Sequence, residues 1–288
     1  MPELPEVETV RRGLAQAMEG RVLTHVVVNR GDLRWPLPPD FAKRITGHTV
    51  QALGRRAKYL TLELSSGDIL LAHLGMSGRM VIDPPGATPS EPGLYYRNLE
   101  ANGLHEHVAF QVDGRTWIRF SDPRRFGMMD LVPRADFAKH KLIAGLGPEP
   151  TDAAFDGAVL AKRLKGKRTP IKAALLDQRV VAGLGNIYVC ESLYHAGISP
   201  RRLATRVQGE RADRLVIAIK RVLAEAIEAG GSSLRDHRQA SGELGYFQHR
   251  FAVYDREGMK CPDCTCDRTI RRIMQSARST FYCAMRQR

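Results

Sequence analysis

The 288-residue chain has no apolar run that approaches the roughly 20 residues needed to span a bilayer. It also lacks an apolar segment of the secretory type near its start, so we expect neither a membrane-spanning segment nor export. Cysteine is scarce: there are five, and four of them lie between Cys261 and Cys283. This distribution disfavours a disulfide framework and favours a metal site in a reducing compartment.

Acidic residues are also in short supply. The chain has 31 acidic residues against 44 lysines and arginines, which gives a formal net charge of +13. This surplus indicates a polyanionic partner, and nucleic acid or an acidic membrane surface both fit it. The length predicts two domains.

The first half of the chain is rich in strand patterns that follow a single helix. Val7, Val10, Leu14 and Met18 recur at helical spacing near the start. Alternating or β-branched segments then predict strands over residues 21–28, 50–53, 59–64, 69–74, 79–82, 107–112 and 116–120. Turn residues at 75–78 and 113–114 predict two hairpins. The pattern indicates a β-sandwich or barrel.

Helical patterns dominate after about residue 150, and the chain ends in short strands around the cysteines. Helices are predicted over residues 155–164, 171–176, 187–196 and 209–229. The stiff, turn-rich segment LGPEP suggests an inter-domain connection. We therefore predict an α+β protein with a sandwich domain at 1–135, a linker at 136–152, a helical domain at 153–250 and a hairpin at 251–288.

The chain start carries a possible nucleophile. Because residue 2 is small, we expect the initiator methionine to be removed, which leaves Pro2 with a free secondary amine. An α-amine has a pKa of roughly 7.7–8.0, so much of it is unprotonated near neutral pH. Such an amine can attack a carbonyl carbon and form a cationic iminium, and the neighbouring Glu3 can shuttle protons. An ordinary helix start explains the same residues.

Three further places have side chains suited to DNA. Lys58 follows two arginines and enters a strand, where it can contact phosphate or donate a proton. Met76 and Phe126 lie at glycine-containing turns, the second beside Arg124, and such apolar and guanidinium tips can wedge into a base stack. Loop packing and a solvated strand end are the alternatives. The two histidines of His105-Glu106-His107 would lie on one face of a strand. No third ligand is near, so a phosphate contact or plain surface is favoured over a metal site.

The segment GLGNIY joins two predicted helices. Asn186 is a good N-cap residue, so the glycines would lead into a helix start whose free N–H groups can hold a phosphate. Lys167 adds positive charge nearby. An uninvolved helical hairpin is the alternative.

The tail resembles a zinc ribbon with one ligand replaced. Cys261, Cys264 and Cys283 match the two-knuckle spacing, but Arg286 stands where the fourth thiolate is expected, and arginine cannot bind zinc. Cys266 could supply the fourth sulfur in a cramped arrangement. We therefore expect Zn²⁺, at one per chain, to be held weakly or not at all.

The segments MPELPEVETVRRGL, RRAKYL, HLGMSG, DPRRFG, LGPEP, GLGNIY and ARSTFYC occur together and in this order. The set closely resembles bacterial formamidopyrimidine-DNA glycosylase, a repair enzyme that removes oxidised purines, over nearly the whole chain. The opening MPELPE is more similar to this enzyme than to its endonuclease VIII relatives. The resemblance implies an N-terminal β-sandwich, a helix–two-turn–helix domain and a C-terminal zinc-finger hairpin, in a monomeric enzyme of the bacterial cytoplasm that acts on double-stranded DNA.

The resemblance also implies roles for individual residues. Pro2 would attack the sugar C1′ with Glu3 as proton donor, Lys58 would serve β-elimination, and Arg278 would serve δ-elimination. The void left by the flipped nucleotide would be filled by Met76, Arg124 and Phe126. The DNA backbone would be contacted by His105, Lys167 and Asn186. Residues 230–245 would include a mobile loop over the extruded base, close to Tyr246.

This reading predicts a bifunctional DNA glycosylase/AP lyase that excises 8-oxoguanine and formamidopyrimidines. Two alternatives stay open: an endonuclease VIII-like enzyme for oxidised pyrimidines, and a non-catalytic zinc-ribbon DNA-binding protein.

Overall fold

The structure, a computed structural model, describes residues 2–83, 105–232, 245–265 and 268–288. The chain forms two compact units. The first unit comprises Met1–Ala144 together with Gly230–Tyr246, and the second comprises Gly145–Ala229 together with Phe247–Arg288. Among these residues no helix combines the length and the apolar character needed to cross a bilayer. The finer four-part division expected from the sequence stays a prediction.

The described part of the first unit contains two helices and two antiparallel sheets of four strands each. Its elements are α1 (Leu4–Met18), β1 (Leu23–Val28), α2 (Phe41–Ile45), β2 (Val50–Arg56), β3 (Tyr59–Leu64), β4 (Asp68–His73), β5 (Arg79–Asp83), β6 (Glu106–Val112), β7 (Thr116–Ser121) and β8 (Met128–Pro133), followed by a short 3-10 turn, Arg134–Lys139. The strand orders are β1-β6-β7-β5 and β2-β3-β4-β8.

One apolar core joins the two sheets and α1. Strand residues such as Phe110 and Leu62 contribute from the two sheets, and Leu14 contributes from the apolar face of α1. Alternation along the strands sends every second side chain into this core, which is why the sequence pattern predicted a sandwich. The helix start is thereby fixed to a rigid scaffold.

The predicted hairpin at residues 75–78 is wrong. Strand β4 pairs with β3 and β8, whereas β5 pairs with β7 in the other sheet, so this turn carries the chain from one sheet to the other. The hairpin at Asp113-Gly114 is confirmed, because β6 and β7 are paired. Both of its turn residues have positive φ, 49° and 67°, as a type I′ turn requires.

The second unit is helical and ends in a hairpin. Its elements are α3 (Gly157–Leu164), α4 (Ile171–Leu176), α5 (Asn186–His195), α6 (Glu210–Glu228), β9 (Arg271–Gln275) and β10 (Arg278–Tyr282), with short 3-10 turns at Ala204–Arg206 and Phe247–Arg250. A small core packs α5 against the hairpin through Cys190, Tyr194 and Phe281. The predicted α+β class, with a sandwich, a helical part and a cysteine-bearing hairpin, is confirmed.

Buried Glu191 fixes the segment that leads from the helices to the hairpin. Its carboxylate, 1% exposed, accepts hydrogen bonds from the backbone N–H groups of Ala252, Val253 and Tyr254. Burial outweighs these bonds and raises the pKa of Glu191. The carboxylate thus accepts from backbone N–H groups of a segment that lies outside the helices and strands.

Candidate functional site

The chain start is buried and held by a carboxylate. Pro2 is buried, and Glu3 and Glu6 are 4% and 2% exposed. The Glu6 carboxylate accepts a hydrogen bond of 2.9 Å from the Glu3 N–H. Proline in the first turn and a glutamate three residues after the N-cap favour a helix start at this point. The local sequence thus favours a helix start here, and burial of Pro2 and Glu3 fixes the position of the residues before α1.

Glu6 also binds a segment that is distant in the sequence. Its other oxygen accepts hydrogen bonds from the Ser232 N–H at 2.8 Å and from the Ser232 hydroxyl at 2.9 Å. Ser232 in turn forms an antiparallel bridge with Tyr246. A Cβ on Gly231 would lie 3.1 Å from the Glu6 Cγ, so glycine allows this approach. The stem of the predicted loop at 230–245 thus meets α1, while residues 233–244 lie outside the described part of the chain.

Lys58 lies at the tight turn between β2 and β3. Its side chain is buried, and the preceding Ala57 has a φ of 53°, an unfavourable conformation for a residue with a Cβ. The Arg55 guanidinium donates a hydrogen bond of 2.8 Å to the Ala57 carbonyl and forms an ion pair of 3.1 Å with Glu8 of α1. Helix α1 contacts β2 and β3. The same helix therefore supports both the chain start and the turn that carries Lys58.

Neighbouring arginines keep the Glu8 carboxylate of this arrangement ionised. Burial by itself would raise the pKa of Glu8, but its hydrogen bond and charge interaction with Arg11, together with Arg12 and Arg55, hold that pKa below its ordinary value. The carboxylate consequently remains ionised at neutral pH and keeps its arginine partners.

The three predicted wedge residues come together. Met76 and Phe126 are 40% and 43% exposed, and the Arg124 guanidinium lies 4.9 Å from the centre of the Phe126 ring. They border a cavity of about 560 Å³. The cavity is lined by Leu33, Arg34, His73, Gly75, Met76, Arg124, Arg125 and Phe126. The two turns thus form one exposed apolar and cationic tip.

Asp122 fastens the two turns to each other. It is fully buried, and its carboxylate accepts hydrogen bonds from the Ser77 hydroxyl at 2.5 Å and from the Gly127 N–H at 2.7 Å. Its backbone carbonyl accepts a bond of 2.8 Å from His107 Nε2. Sequence reasoning assigned no role to this aspartate, although an aspartate that opens a proline-containing turn is a common turn-forming signal.

The histidine pair divides into two different residues. His107 is buried and structural, so neither the metal nor the surface interpretation applies to it. His105 is partly exposed just before β6, and its carbonyl accepts from the Asp122 N–H at 3.0 Å. Only His105 keeps a side chain that a ligand can reach.

His73 is a further cavity residue that sequence reasoning missed. Burial, together with the positive charges of Lys58 and Arg34, lowers its pKa to about 4. Its Nδ1 accepts a hydrogen bond of 2.8 Å from the Gly75 N–H. The ring is therefore neutral at pH 7 and fixes the residue before Met76. The histidine that opens HLGMSG was the available signal.

In the second unit, two side chains converge on one carbonyl. Asn186 Nδ2 and Lys172 Nζ donate to the Ser279 carbonyl at 2.9 Å and 3.0 Å, and Lys172 also donates to the Thr280 hydroxyl at 2.7 Å. Lys172 is fully buried, and this burial lowers its pKa. Since Arg278 immediately precedes Ser279, these bonds fix the strand that presents it.

The predicted N-cap role of Asn186 is wrong. Gly185 is the N-cap, and Asn186 is the first residue of α5, with its side chain directed to the hairpin. The helix start that follows the glycines is present as predicted. Lys167 lies in the turn after α3, half-buried, in the same unit.

The cysteines at the base of the hairpin are grouped. The sulfur atoms of Cys261, Cys264 and Cys283 all lie within 4.8 Å of one another, and the last two are 3.7 Å apart. Tetrahedral zinc with sulfur at about 2.3 Å needs sulfur–sulfur distances near 3.8 Å, so the spacing of the three sulfur atoms fits a metal ion. Cys264 is disulfide-bonded in this structure, and it would bind a metal only after reduction of that bond. Arg286 offers no ligand atom, and Cys266 lies outside the described residues.

The neighbourhood of the cluster favours thiolate. Burial by itself would raise the pKa of Cys261, but the Tyr194 hydroxyl at 3.2 Å and nearby backbone N–H groups outweigh it and lower that pKa. A lowered thiol pKa suits metal ligation, because the ligand is the thiolate.

Comparison with known proteins agrees with this arrangement. Residues 1–129 match the family model described as the formamidopyrimidine-DNA glycosylase N-terminal domain, and residues 146–238 match the one described as its H2TH domain. Both matches are to domains of one class of DNA repair glycosylase.

Relatives extend the match over the whole chain. The chain is 57% identical over 288 residues to a formamidopyrimidine-DNA glycosylase of Cereibacter sphaeroides and 56% identical over 289 residues to one of Ruegeria pomeroyi, with all of both chains covered in each case. The crystal structure of the MutM (Fpg) protein from Thermus thermophilus is similar, with a TM-score of 0.83, 40% identity, and 99% and 98% of the two chains covered. A complex of Lactococcus lactis Fpg with abasic-site DNA gives 0.84 and 31%, with 99% of each chain covered. The chain therefore belongs to the formamidopyrimidine-DNA glycosylase family.

Proposed function

We propose that this chain excises oxidised purines, such as 8-oxoguanine and formamidopyrimidines, from double-stranded DNA and then cleaves the strand through the amine of Pro2. The observation that carries the proposal is the buried chain start, where Glu6 fixes the backbone of Glu3 beside the future nucleophile. Family membership supplies the reaction class, and structures of Lactococcus lactis Fpg contain Fapy-dG DNA.

The chemistry begins once the initiator methionine is removed. The Pro2 nitrogen bonds to the sugar C1′, and the bond from C1′ to the damaged base breaks. The sugar ring opens as Glu3 transfers a proton to its ring oxygen, and the Pro2 nitrogen becomes part of a cationic iminium with C1′. This iminium draws electrons from C2′, so loss of a C2′ proton expels the 3′ phosphate. A second elimination expels the 5′ phosphate, and water then releases the sugar fragment from the amine.

Lys58 and Arg278 act in the eliminations. Lys58, buried at its strained turn, transfers protons during β-elimination. Arg278 is exposed at the start of β10, and there it grips phosphate and assists δ-elimination. The bonds from Lys172 and Asn186 to Ser279 support this placement.

Recognition of the lesion uses contacts to the duplex. Met76, Arg124 and Phe126, exposed as one tip, enter the space that the flipped nucleotide leaves. Extrusion costs a few kcal/mol, which stacking and phosphate contacts offset. His105, Lys167 and Asn186 contact the backbone, in keeping with the net charge of +13. The enzyme acts as a monomer in the bacterial cytoplasm, associated with the nucleoid when bound to DNA.

The cysteine cluster holds at most one Zn²⁺ per chain. Cys261, Cys264 and Cys283 would be its ligands, with Cys266 as the possible fourth. A bound zinc ion would stiffen the base of the hairpin and would take no part in bond cleavage.

Borohydride trapping on DNA with a single abasic site tests the mechanism. The iminium is reduced to a stable amine, so peptide mass spectrometry should locate the DNA adduct on Pro2. Pro2→Gly should lower the single-turnover rate far more than it lowers DNA affinity. A processed protein that binds the DNA but never traps, or traps elsewhere, would refute the nucleophile.

Oxidised pyrimidines are the second candidate substrate class, because a structure of Lactococcus lactis Fpg contains an oxidised-pyrimidine DNA. Parallel single-turnover assays on 8-oxoguanine:C and thymine-glycol duplexes separate the two. We expect faster excision of 8-oxoguanine, and the reverse order would place the chain with pyrimidine-specific enzymes.

A further inference from the structure

Arg286 occupies the position that the knuckle spacing assigns to a fourth metal ligand, and it makes three contacts instead. Its Nη2 lies 3.6 Å from the carboxylate of Asp263, within the first cysteine knuckle. Its guanidinium carbon lies 4.8 Å from the centre of the Tyr194 ring, and its Nε donates to the Tyr194 carbonyl at 3.3 Å. One planar cation thus joins the second knuckle to the first knuckle and to α5.

Tyr194 extends this connection to the thiols. The tyrosine is fully buried, and its hydroxyl lies 3.2 Å from the Cys261 sulfur. The Tyr194 side chain therefore contacts Arg286 through its ring and the first cysteine of the cluster through its hydroxyl. The contacts of Arg286 span the same two knuckles that a shared metal ion would span.

The residues after Arg286 add bonds that need no metal. Gln287 is 3% exposed, its Oε1 accepts from the Cys283 N–H at 2.8 Å, and its Nε2 donates to the Ile198 carbonyl at 3.0 Å. The Arg288 N–H donates to the Gly197 carbonyl at 3.1 Å. The second knuckle is thereby docked on the turn that follows α5.

We propose that Arg286 replaces the fourth metal ligand as the cross-link of this hairpin, so that the hairpin keeps its fold without a metal ion. The guanidinium suits this role because its plane can stack on an aromatic ring while its edge donates hydrogen bonds. The ion pair with Asp263 contributes little, since both side chains are partly exposed, at 31% and 44%. The stacking on Tyr194 and the Nε bond therefore carry most of the cross-link.

Lysine cannot reproduce this arrangement. It keeps the charge but lacks the plane and the Nε–H, so Arg286→Lys should lose most of what Arg286→Gln loses. Cysteine has the opposite effect, because Arg286→Cys restores the two-knuckle thiolate set and should make the hairpin dependent on zinc.

The test compares the full-length wild type with Arg286→Gln, Arg286→Cys and the control Arg288→Gln. The control removes a nearby positive charge and the 3.2 Å bond from the Arg288 Nε to the Met285 carbonyl, but it leaves the contacts of Arg286 with Asp263 and Tyr194 in place. Bound zinc is counted by elemental analysis after dialysis against a chelator, and Tm is measured before and after. We expect the wild-type Tm to be insensitive to chelation. Arg286→Gln should lower Tm by about 3 °C with or without zinc, more than the control. Arg286→Cys should retain zinc, and chelation should lower its Tm.

Two results would overturn the proposal. In the first, the wild type retains one zinc through dialysis and loses Tm on chelation as Arg286→Cys does, which would mean that another donor completes the site. In the second, Arg286→Gln melts like the control. If Arg286→Gln does not fold, Arg286→Lys replaces it with the same readouts. Trapping at Pro2 is scored separately, so failure here leaves the proposed function standing.

Discussion

Acid should destabilise the first unit through His73. The ordinary histidine pKa of 6.5 applies in the unfolded chain, and burial, with help from Lys58 and Arg34, lowers the folded value to about 4. The unfolded state therefore binds more protons between these two values, and stability falls as pH falls through this window. A separation of about 2.5 pKa units corresponds to a loss of about 2 kcal/mol by pH 5 and about 3 kcal/mol by pH 4, relative to pH 7.

The loss has a structural cause that a variant can isolate. Protonation of Nδ1 abolishes the 2.8 Å bond from the Gly75 N–H, which holds the turn before Met76. His73→Asn places a side-chain oxygen near the same N–H and does not titrate. On going from pH 7 to pH 4, the unfolding free energy of the wild type should therefore fall by about 3 kcal/mol relative to that of the variant.

Urea unfolding monitored by tryptophan fluorescence is the appropriate assay. The only tryptophans of the sequence, Trp35 and Trp117, both belong to the first unit, so the signal reports on the unit that contains His73. Titrating groups common to both proteins cancel in the difference. A difference that stays constant from pH 7 to pH 4 would show that the His73 pKa is not lowered, and the reasoning from burial would be wrong.

Two other pairs of substitutions test the turns and the hairpin. Gly75→Ala should destabilise the first unit by about 3 kcal/mol or more, because its Cβ would lie 2.4 Å from the backbone at Gly127 and its φ is 66°. Gly114→Ala shares the positive φ but has nothing within 4 Å, so urea unfolding should show a loss of only about 1–2 kcal/mol, and equal losses would refute the clash. Lys172→Met should slow δ-elimination relative to β-elimination by roughly tenfold, the equivalent of one charged hydrogen bond, in a gel assay of abasic DNA cleavage. Thr280→Val removes only one of the two acceptors and should have a smaller effect; an unchanged product ratio in Lys172→Met would contradict a positioning role.

Local pattern was sufficient for most of the fold. Period-two alternation located β3, β6 and β7, and the Asp113-Gly114 pair located a hairpin, because both signals depend on neighbouring residues alone. The same local patterns did not predict β8, because its MMDLVP sequence is nearly continuous in apolar residues and ends in proline. They also paired β4 with β5 wrongly, since a four-residue glycine turn does not specify which sheet the next strand joins.

The site divides in the same way. Residues with unusual chemistry in unusual places, such as Pro2, Met76 and Arg286, were visible in the sequence, and their catalytic and DNA-binding roles stay predictions. Asp122 and His73 were missed, because their roles depend on partners that only the fold brings near. Nothing in the sequence distinguishes Lys172 from the other basic residues, although its buried ammonium group has two hairpin acceptors.

The bond between Glu6 and Ser232 has a consequence for attempts to dissect the molecule. Because Gly230–Tyr246 belongs to the first unit, the polypeptide passes from one unit to the other three times, and neither unit is a single continuous stretch. A fragment ending at Ala144 would expose the Glu6 carboxylate and lack its serine partner, so it should be a poor stand-in for the native unit. Complementation by two co-expressed fragments, or permutants that join new termini, would respect this connectivity where simple truncation does not.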